Sequence, residues 1–197
     1  LVIVQGVLGG LRVTQLADQI GIFHGTLAQV FLLVLASLAL FNSRWWKRIR
    51  AAASHKELVP RVVRSHFFYA TLLIFLQLII GATMRHQHAG LPVWDFPKAH
   101  GQWWPASDAK SVARYNAERN SLNLQLHNEG RQVFLRTGPD ILPFHLTLQM
   151  LHRVLAVLII ALVVGTLMVV RKRLGANHAL SRLSFVWLGI ISLQVAL

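Results

Sequence analysis

Two histidines open two hydrophobic stretches with nearly the same phrase, His24-Gly25-Thr26-Leu27-Ala28 and His152-Arg153-Val154-Leu155-Ala156. An imidazole in an apolar span needs a partner, so histidine is rare there and marks function. Holding a metal suits neutral imidazole inside a helical bundle, and the iron of a haem is the commonest case. Ala28 and Ala156 lie one turn beyond each histidine on the same helix face, where a small side chain leaves room for a flat macrocycle. Gly25 thins the first helix further. The alternative is a packing histidine whose ring bonds a carbonyl or hydroxyl. Repetition in register favours axial ligation of haem iron by His24 and His152, not necessarily of the same iron.

Neighbouring polar residues fit the same chemistry. Gln149 sits one turn before His152, placed either to meet a haem edge or to bond a neighbouring helix. Arg153 follows at a depth where a guanidinium needs an anion, such as a haem propionate or a partner helix's carboxylate. Arg12 and Arg85 lie at the outer surface, for the same use or for snorkelling to phosphates and water. His86 and His88 are a second, weaker metal candidate without carboxylate or thiolate companions. His55, His66, His100, His127, His145 and His178 have no spacing that argues for ligation. No Ser-His-Asp set, phosphate loop or paired intramembrane carboxylates appear. The chain has no cysteine, which excludes disulfides and thiolate metal sites within it.

The elements that must position these residues are apolar helices. Of 197 residues, 54% are hydrophobic and only 14% charged, where a soluble domain has about a quarter charged. Spans are expected at Ile20–Phe41, Phe67–Met84, Leu142–Val170 and from Leu183 onward, each near the roughly 20 residues a bilayer requires. The shorter run Leu1–Leu11 reads as a helix end, joined by an outer turn at Arg12–Gln19. The net charge of +13 is concentrated in two short loops, 42–64 and 171–182. The long segment 85–140 offsets seven basic residues with five acids. The positive-inside rule places 42–64 and 171–182 in the cytoplasm and 85–140 outside, and this distribution argues against a nucleic-acid partner. Trp45 and Trp46 read as an interfacial belt. Trp94, Trp103 and Trp104 fall among Pro92, Pro97 and Pro105, which favour a fixed loop. Ala106–Arg136 reads as one or two polar surface helices.

A repeat runs through the chain. Gln5-Gly6-Val7-Leu8-Gly9 precedes the His24 helix, and Gln77-Leu78-Ile79-Ile80-Gly81 precedes the His152 helix. Gln194-Val195-Ala196-Leu197 begins a third copy. The unit is an outward helix ending Gln-x-x-x-Gly, then an inward helix opening with histidine, and such paired repeats often hold a cofactor between them. The chain reads as an internal fragment, and a helix following residue 197 is expected to carry another outer histidine.

Several phrases resemble the haem A synthase family. They are Gln5 to Thr14, Phe23-His24-Gly25-Thr26-Leu27-Ala28-Gln29, Arg85 to Pro97 with its Ala-Gly-Leu-Pro-x-x-Asp-Phe-Pro core, and Leu151-His152-Arg153. The resemblance implies an all-α, polytopic transmembrane bundle of two duplicated four-helix halves, this chain running from the end of helix three into helix seven. Residues 1–64 would close the first half and 65–197 would belong to the second. It also implies an oxidoreductase that converts the ring methyl of haem O to the formyl of haem A for cytochrome oxidase maturation. The implied cofactor is haem b, with haem O and haem A as substrate and product. The implied partners are a haem O synthase upstream, an electron donor and the lipid bilayer, in a bacterial plasma membrane. The family's catalytic glutamate lies in a Glu-x-x-His-Arg phrase of its second helix, upstream of residue 1. Gln149 holds the matching place in the sixth helix, which fits the second half as the electron-carrying half. The outer cysteine pair of many members is absent here.

Two other readings stand beside this one. A b-type cytochrome would carry electrons with the same histidines and leave haem unoxidised. A helical carrier or assembly factor would use them for packing alone.

Overall fold

Seven helices follow from the apolar runs and their punctuation in a computed structural model that describes residues 1–52, 59–90, 92–130 and 140–196. They are α1 (Val2–Gln15), α2 (Asp18–Asn42), α3 (Arg44–Ala52), α4 (Arg61–His86), α5 (Ala109–Asn128), α6 (Pro143–Leu174) and α7 (Ala179–Ala196). Among the described residues no strand forms, only one isolated bridge between Ala99 and Gln102. The chain is an all-α membrane bundle. Helices α2, α4 and α6 are long and apolar enough to cross a bilayer. His55, Lys56, Glu57, Leu91, Arg131, Arg136 and Leu197 lie outside the described residues.

The packing order is α1 on α2, α2 on α4, α4 on α6 and α6 on α7. Helix α6 is the centre. Leu148, Leu155, Ile159, Val163, Leu167 and Val170 are buried along it, while large apolar side chains on α1 and α2 stay exposed as a lipid-facing surface does. Ile80 and Ala89 join Leu148 and Leu155 in one cluster between α4 and α6. A second cluster lies above the spans, where Val93, Ala99, Val112, Tyr115 and Ile141 pack on Leu146 and Met150.

Several boundaries differ from the sequence expectations, among them the starts of α4 at Arg61 rather than Phe67 and of α7 at Ala179 rather than Leu183. Helix α1 runs on to Gln15, so the outer turn is only Leu16 and Ala17, with Leu16 left-handed at φ 49°. Nothing in Arg12-Val13-Thr14-Gln15 stops a helix, and the polar residues there lie outside the apolar run rather than outside the helix. The inner loop contains α3, an amphipathic helix whose Trp46 packs on Phe41 with ring centroids 5.3 Å apart. Among the described residues the polar region after the spans holds helix α5, in keeping with the expected one or two helices, started by Asp108, whose carboxylate accepts from the Ser111 N–H at 3.0 Å.

Candidate functional site

The two histidines occupy matching surroundings. Gln5 Nε2 on α1 donates to the His24 carbonyl on α2 at 3.3 Å. Gln77 Nε2 on α4 donates to the His152 carbonyl on α6 at 3.0 Å. Four residues after each glutamine, on the same face, a glycine lies under the ring. A Cβ on Gly9 would stand 3.3 Å from His24 Cε1, and one on Gly81 would stand 3.5 Å from His152 Cε1. The repeated Gln-x-x-x-Gly is therefore a cradle. The glutamine fixes the helix pair in register, and the glycine lets the imidazole lie against the outward helix. In both copies Nδ1 is buried with no hydrogen-bond partner. Each ring belongs to its own helix pair.

Gln149 and Arg153 have partners on the outer loop. The Gln149 side chain is buried. Its Oε1 accepts from the Val93 N–H at 3.0 Å, and its Nε2 donates to the Val93 carbonyl at 3.0 Å and the Gly90 carbonyl at 3.4 Å. Arg153 donates from Nη1 to the Lys98 carbonyl and from Nη2 to the Asp95 carbonyl, both at 2.9 Å. Its guanidinium carbon lies 5.7 Å from the Phe96 ring centre. Sequence reasoning called for an anion beside Arg153, and among the described residues its guanidinium meets backbone carbonyls. A loop descending along α6 brings them there, and no spacing rule signals that.

The loop is built to hold this shape. Asp95 accepts from the backbone N–H groups of His100 at 2.7 Å and Gly101 at 2.9 Å. His100 Nε2 donates to the Pro92 carbonyl at 2.8 Å, and its ring stacks on buried Tyr115 with centroids 3.6 Å apart. Burial pushes the His100 pKa below its usual 6.5, against the Pro92 carbonyl and Asp95. Burial alone would raise the Asp95 pKa, but the Gly101 and His100 N–H groups outweigh it and hold the carboxyl below its usual 3.8.

Arg12 and Arg85, from the two helix pairs, meet in one cleft. With Leu16, Ala17, Asp18, His86 and His88 they line a space of about 310 Å³. His86 does more than line it, since its ring lies directly on Gly21 of α2, where no Cβ could fit. This contact joins the outer ends of α2 and α4, and nothing in the sequence announced it. No cluster of three or more His, Cys, Asp or Glu able to hold a metal ion occurs among the described residues. His66, His145 and His178 serve backbone groups within their own helix starts or turns.

A family model for cytochrome oxidase assembly proteins, COX15-CtaA, matches residues 1–197. The chain belongs to that family. Comparisons with curated proteins and with solved structures gave no match.

Two outcomes test this geometry. Gln149→Glu removes the donor to Val93 and turns a carboxylate oxygen toward its carbonyl. It should cost about 1–3 kcal/mol, visible as a lower melting temperature than Thr147→Glu, an exposed site on the same turn. Acid should loosen residues 92–101 in two stages. The part due to neutral His100 is complete above pH 6.5 and is lost as pH falls below it, and the part due to Asp95 goes below about pH 3.8. Amide exchange of peptides covering 94–104, corrected for intrinsic rate, should rise between pH 7.5 and 5.5. Unchanged protection would contradict the assignment to His100.

Proposed function

We propose that the chain is part of a haem A synthase, with His24 and His152 as axial ligands of haem iron in separate halves. The observation that carries this reading is the pair of cradled imidazoles whose Nδ1 atoms are buried without partners. A packing histidine would use its ring on a carbonyl or hydroxyl, because an unpaired polar group in an apolar site is costly. The protein instead spends its hydrogen bonds on the histidine carbonyls and leaves the rings uncommitted. Donor type, helix setting and the bare glycine beside each ring fit a flat iron porphyrin.

The reaction proposed is oxidation of the ring methyl of haem O to the formyl of haem A, in which the methyl carbon would gain an oxygen atom from water and release four protons and four electrons to an external acceptor; a bound haem b would supply a redox-active iron for that electron transfer. Within that scheme His24 and His152 set the position and potential of the iron. Arg12 and Arg85 face one cleft, suited to the propionate edge. Gln149 and Arg153 hold the outer loop against the His152 helix and so limit water at that edge. A haem O synthase would supply the substrate, and an electron-transfer partner would complete the cycle. The orientation proposed is cytoplasmic for 42–64 and 171–182 and external for 85–140, in a bacterial plasma membrane.

A second reading, a b-type cytochrome without haem-oxidising activity, draws support from Gln149. Its amide pairs with both backbone groups of Val93, a task a carboxylate would not perform. The family resemblance makes the second half the electron-carrying one, and the oxidising chemistry is then assigned to the first.

The deciding experiment expresses the full-length protein in membranes supplied with haem O and scores extracted haem A. Formation of haem A supports the synthase. Haem b alone, with sharp reduced visible bands, would support the cytochrome. His24→Ala and His152→Ala should each remove part of the reduced-band intensity, and unaltered spectra in both would refute ligation. Gly81→Ala should keep the His152-dependent bands, since its Cβ would make ordinary contact with the ring, while Gly81→Leu should abolish them by displacing it.

A further inference from the structure

Outside the histidine cradles, the loop after α4 carries an exposed aromatic surface that packing does not explain. Phe96 is 84% exposed, Trp103 74% and Trp104 53%. We propose that residues 94–104 form a foot seated in the headgroup–acyl boundary of the outer leaflet. The proposal rests on the orientation given above, with 85–140 external, and on no part of the haem chemistry.

Rigidity is the first support. The loop has a fixed backbone, closed by Asp95 on the His100 and Gly101 N–H groups and by reciprocal backbone bonds between Ala99 and Gln102 at 2.7 and 3.0 Å. The stacked His100–Tyr115 pair ties it to α5. Such a loop presents its aromatic side chains in one arrangement.

Depth is the second. Helix α6 has 32 residues, about 48 Å at 1.5 Å per residue, against a hydrocarbon core of about 30 Å. Its surplus must project. Arg171, Lys172 and Arg173 in its last turn mark the inner boundary. About 20 residues counted outward from there end near Leu151, which sets Arg153 at the outer boundary. Arg153 holds the Asp95 and Lys98 carbonyls and lies beside the Phe96 ring. The loop is thereby fixed at the level where bilayer and water meet.

Composition is the third. Of residues 94–104 only Asp95 and Lys98 are charged, and the Asp95 carboxylate is taken up by the His100 and Gly101 N–H groups, while Trp103 and Trp104 stand side by side. Indole, with an apolar body and one N–H, is the side chain enriched at that boundary. Trp45 and Trp46 of α3 offer the corresponding pair at the inner end, so aromatic side chains mark both faces of the bundle.

Residues 1–197 contain no cysteine, so single nitroxide labels can be placed among them in the full-length protein, with any cysteine elsewhere replaced by serine, after reconstitution into phosphatidylcholine–phosphatidylglycerol bilayers. Labels at Phe96→Cys and Trp103→Cys should collide more with oxygen than with a water-soluble nickel chelate. Their depth should fall between Lys110→Cys, exposed on α5, and Leu158→Cys, half-exposed on α6. Nickel accessibility equal to that of the Lys110 label would overturn the proposal, as would suppression of both collisions, which would mean that protein covers the loop. Lys172→Cys should resist an impermeant thiol reagent added outside; labelling there would overturn the sidedness and the proposal with it. Haem A formation, scored on the same preparations, distinguishes failure of the foot from failure of the enzymatic reading.

Discussion

The bundle depends on a hydrogen bond made twice, from a glutamine on an outward helix to the backbone carbonyl of a histidine on the next helix. That carbonyl sits in an α-helix with a second lone pair free. Water does not compete for it in an apolar surrounding, and interhelical bonds of this kind are worth about 0.6–2 kcal/mol. The energy is modest, but the geometry is restrictive. One side chain of fixed length sets the axial register of two helices, and the glycine four residues later sets how closely they approach. Together they determine which way the imidazole faces. In the second half the same stretch of α6 carries Gln149 and Arg153 outward to the loop, so the register of α4 against α6 also positions that loop.

The sequence made the helices and the repeat legible because both are written in short-range patterns. Apolar length gave α2, α4 and α6 within a few residues, and Gln-x-x-x-Gly was visible at residues 5–9 and 77–81. Its purpose was not visible, since a glutamine's partner on another helix has no signature in spacing. Gln149 and Arg153 show the same limit. Residue type said that each needed a polar partner, and a cofactor edge or a carboxylate were the obvious ones. The actual partners are backbone carbonyls and an N–H of residues 90–98, which every sequence possesses and none advertises. Helix α3 was missed because its nine residues are polar and apolar on opposite faces inside a basic run. The meeting of His86 with Gly21 is a tertiary contact over 65 positions and was beyond any local rule.

The two helix pairs share the cradle, and the connections explain where they part. Between α1 and α2 the chain turns in two residues, Leu16 and Ala17, and the end of α4 packs beside that turn through His86 on Gly21. Between α4 and α6 a long segment folds back, buries Tyr115 and Ile141 on the start of α6, and is pinned by paired amide bonds. Gln149 takes both backbone groups of Val93, and Asn116 takes both of Ile141 at 2.8 and 3.1 Å. The cradle tolerates such divergence because it is made entirely by the helix pair. The insert can change without moving the histidine.

Charge follows the same division. Arg153 spreads its proton donors over carbonyls, an arrangement that satisfies the hydrogen-bonding of a guanidinium without a counter-ion. Arg12 and Arg85 are not treated this way. Both face the cleft beside Asp18, yet neither forms an ion pair among the described residues. Two guanidiniums drawn from separate repeats repel each other across a shared space, and the packing of His86 on Gly21 keeps them there. The fold satisfies the donors of one arginine with three backbone carbonyls, yet brings two others, with Asp18 beside them, to a cleft where the helix pairs meet. An anionic group entering that cleft would relieve the repulsion and tie the two halves together at their outer ends.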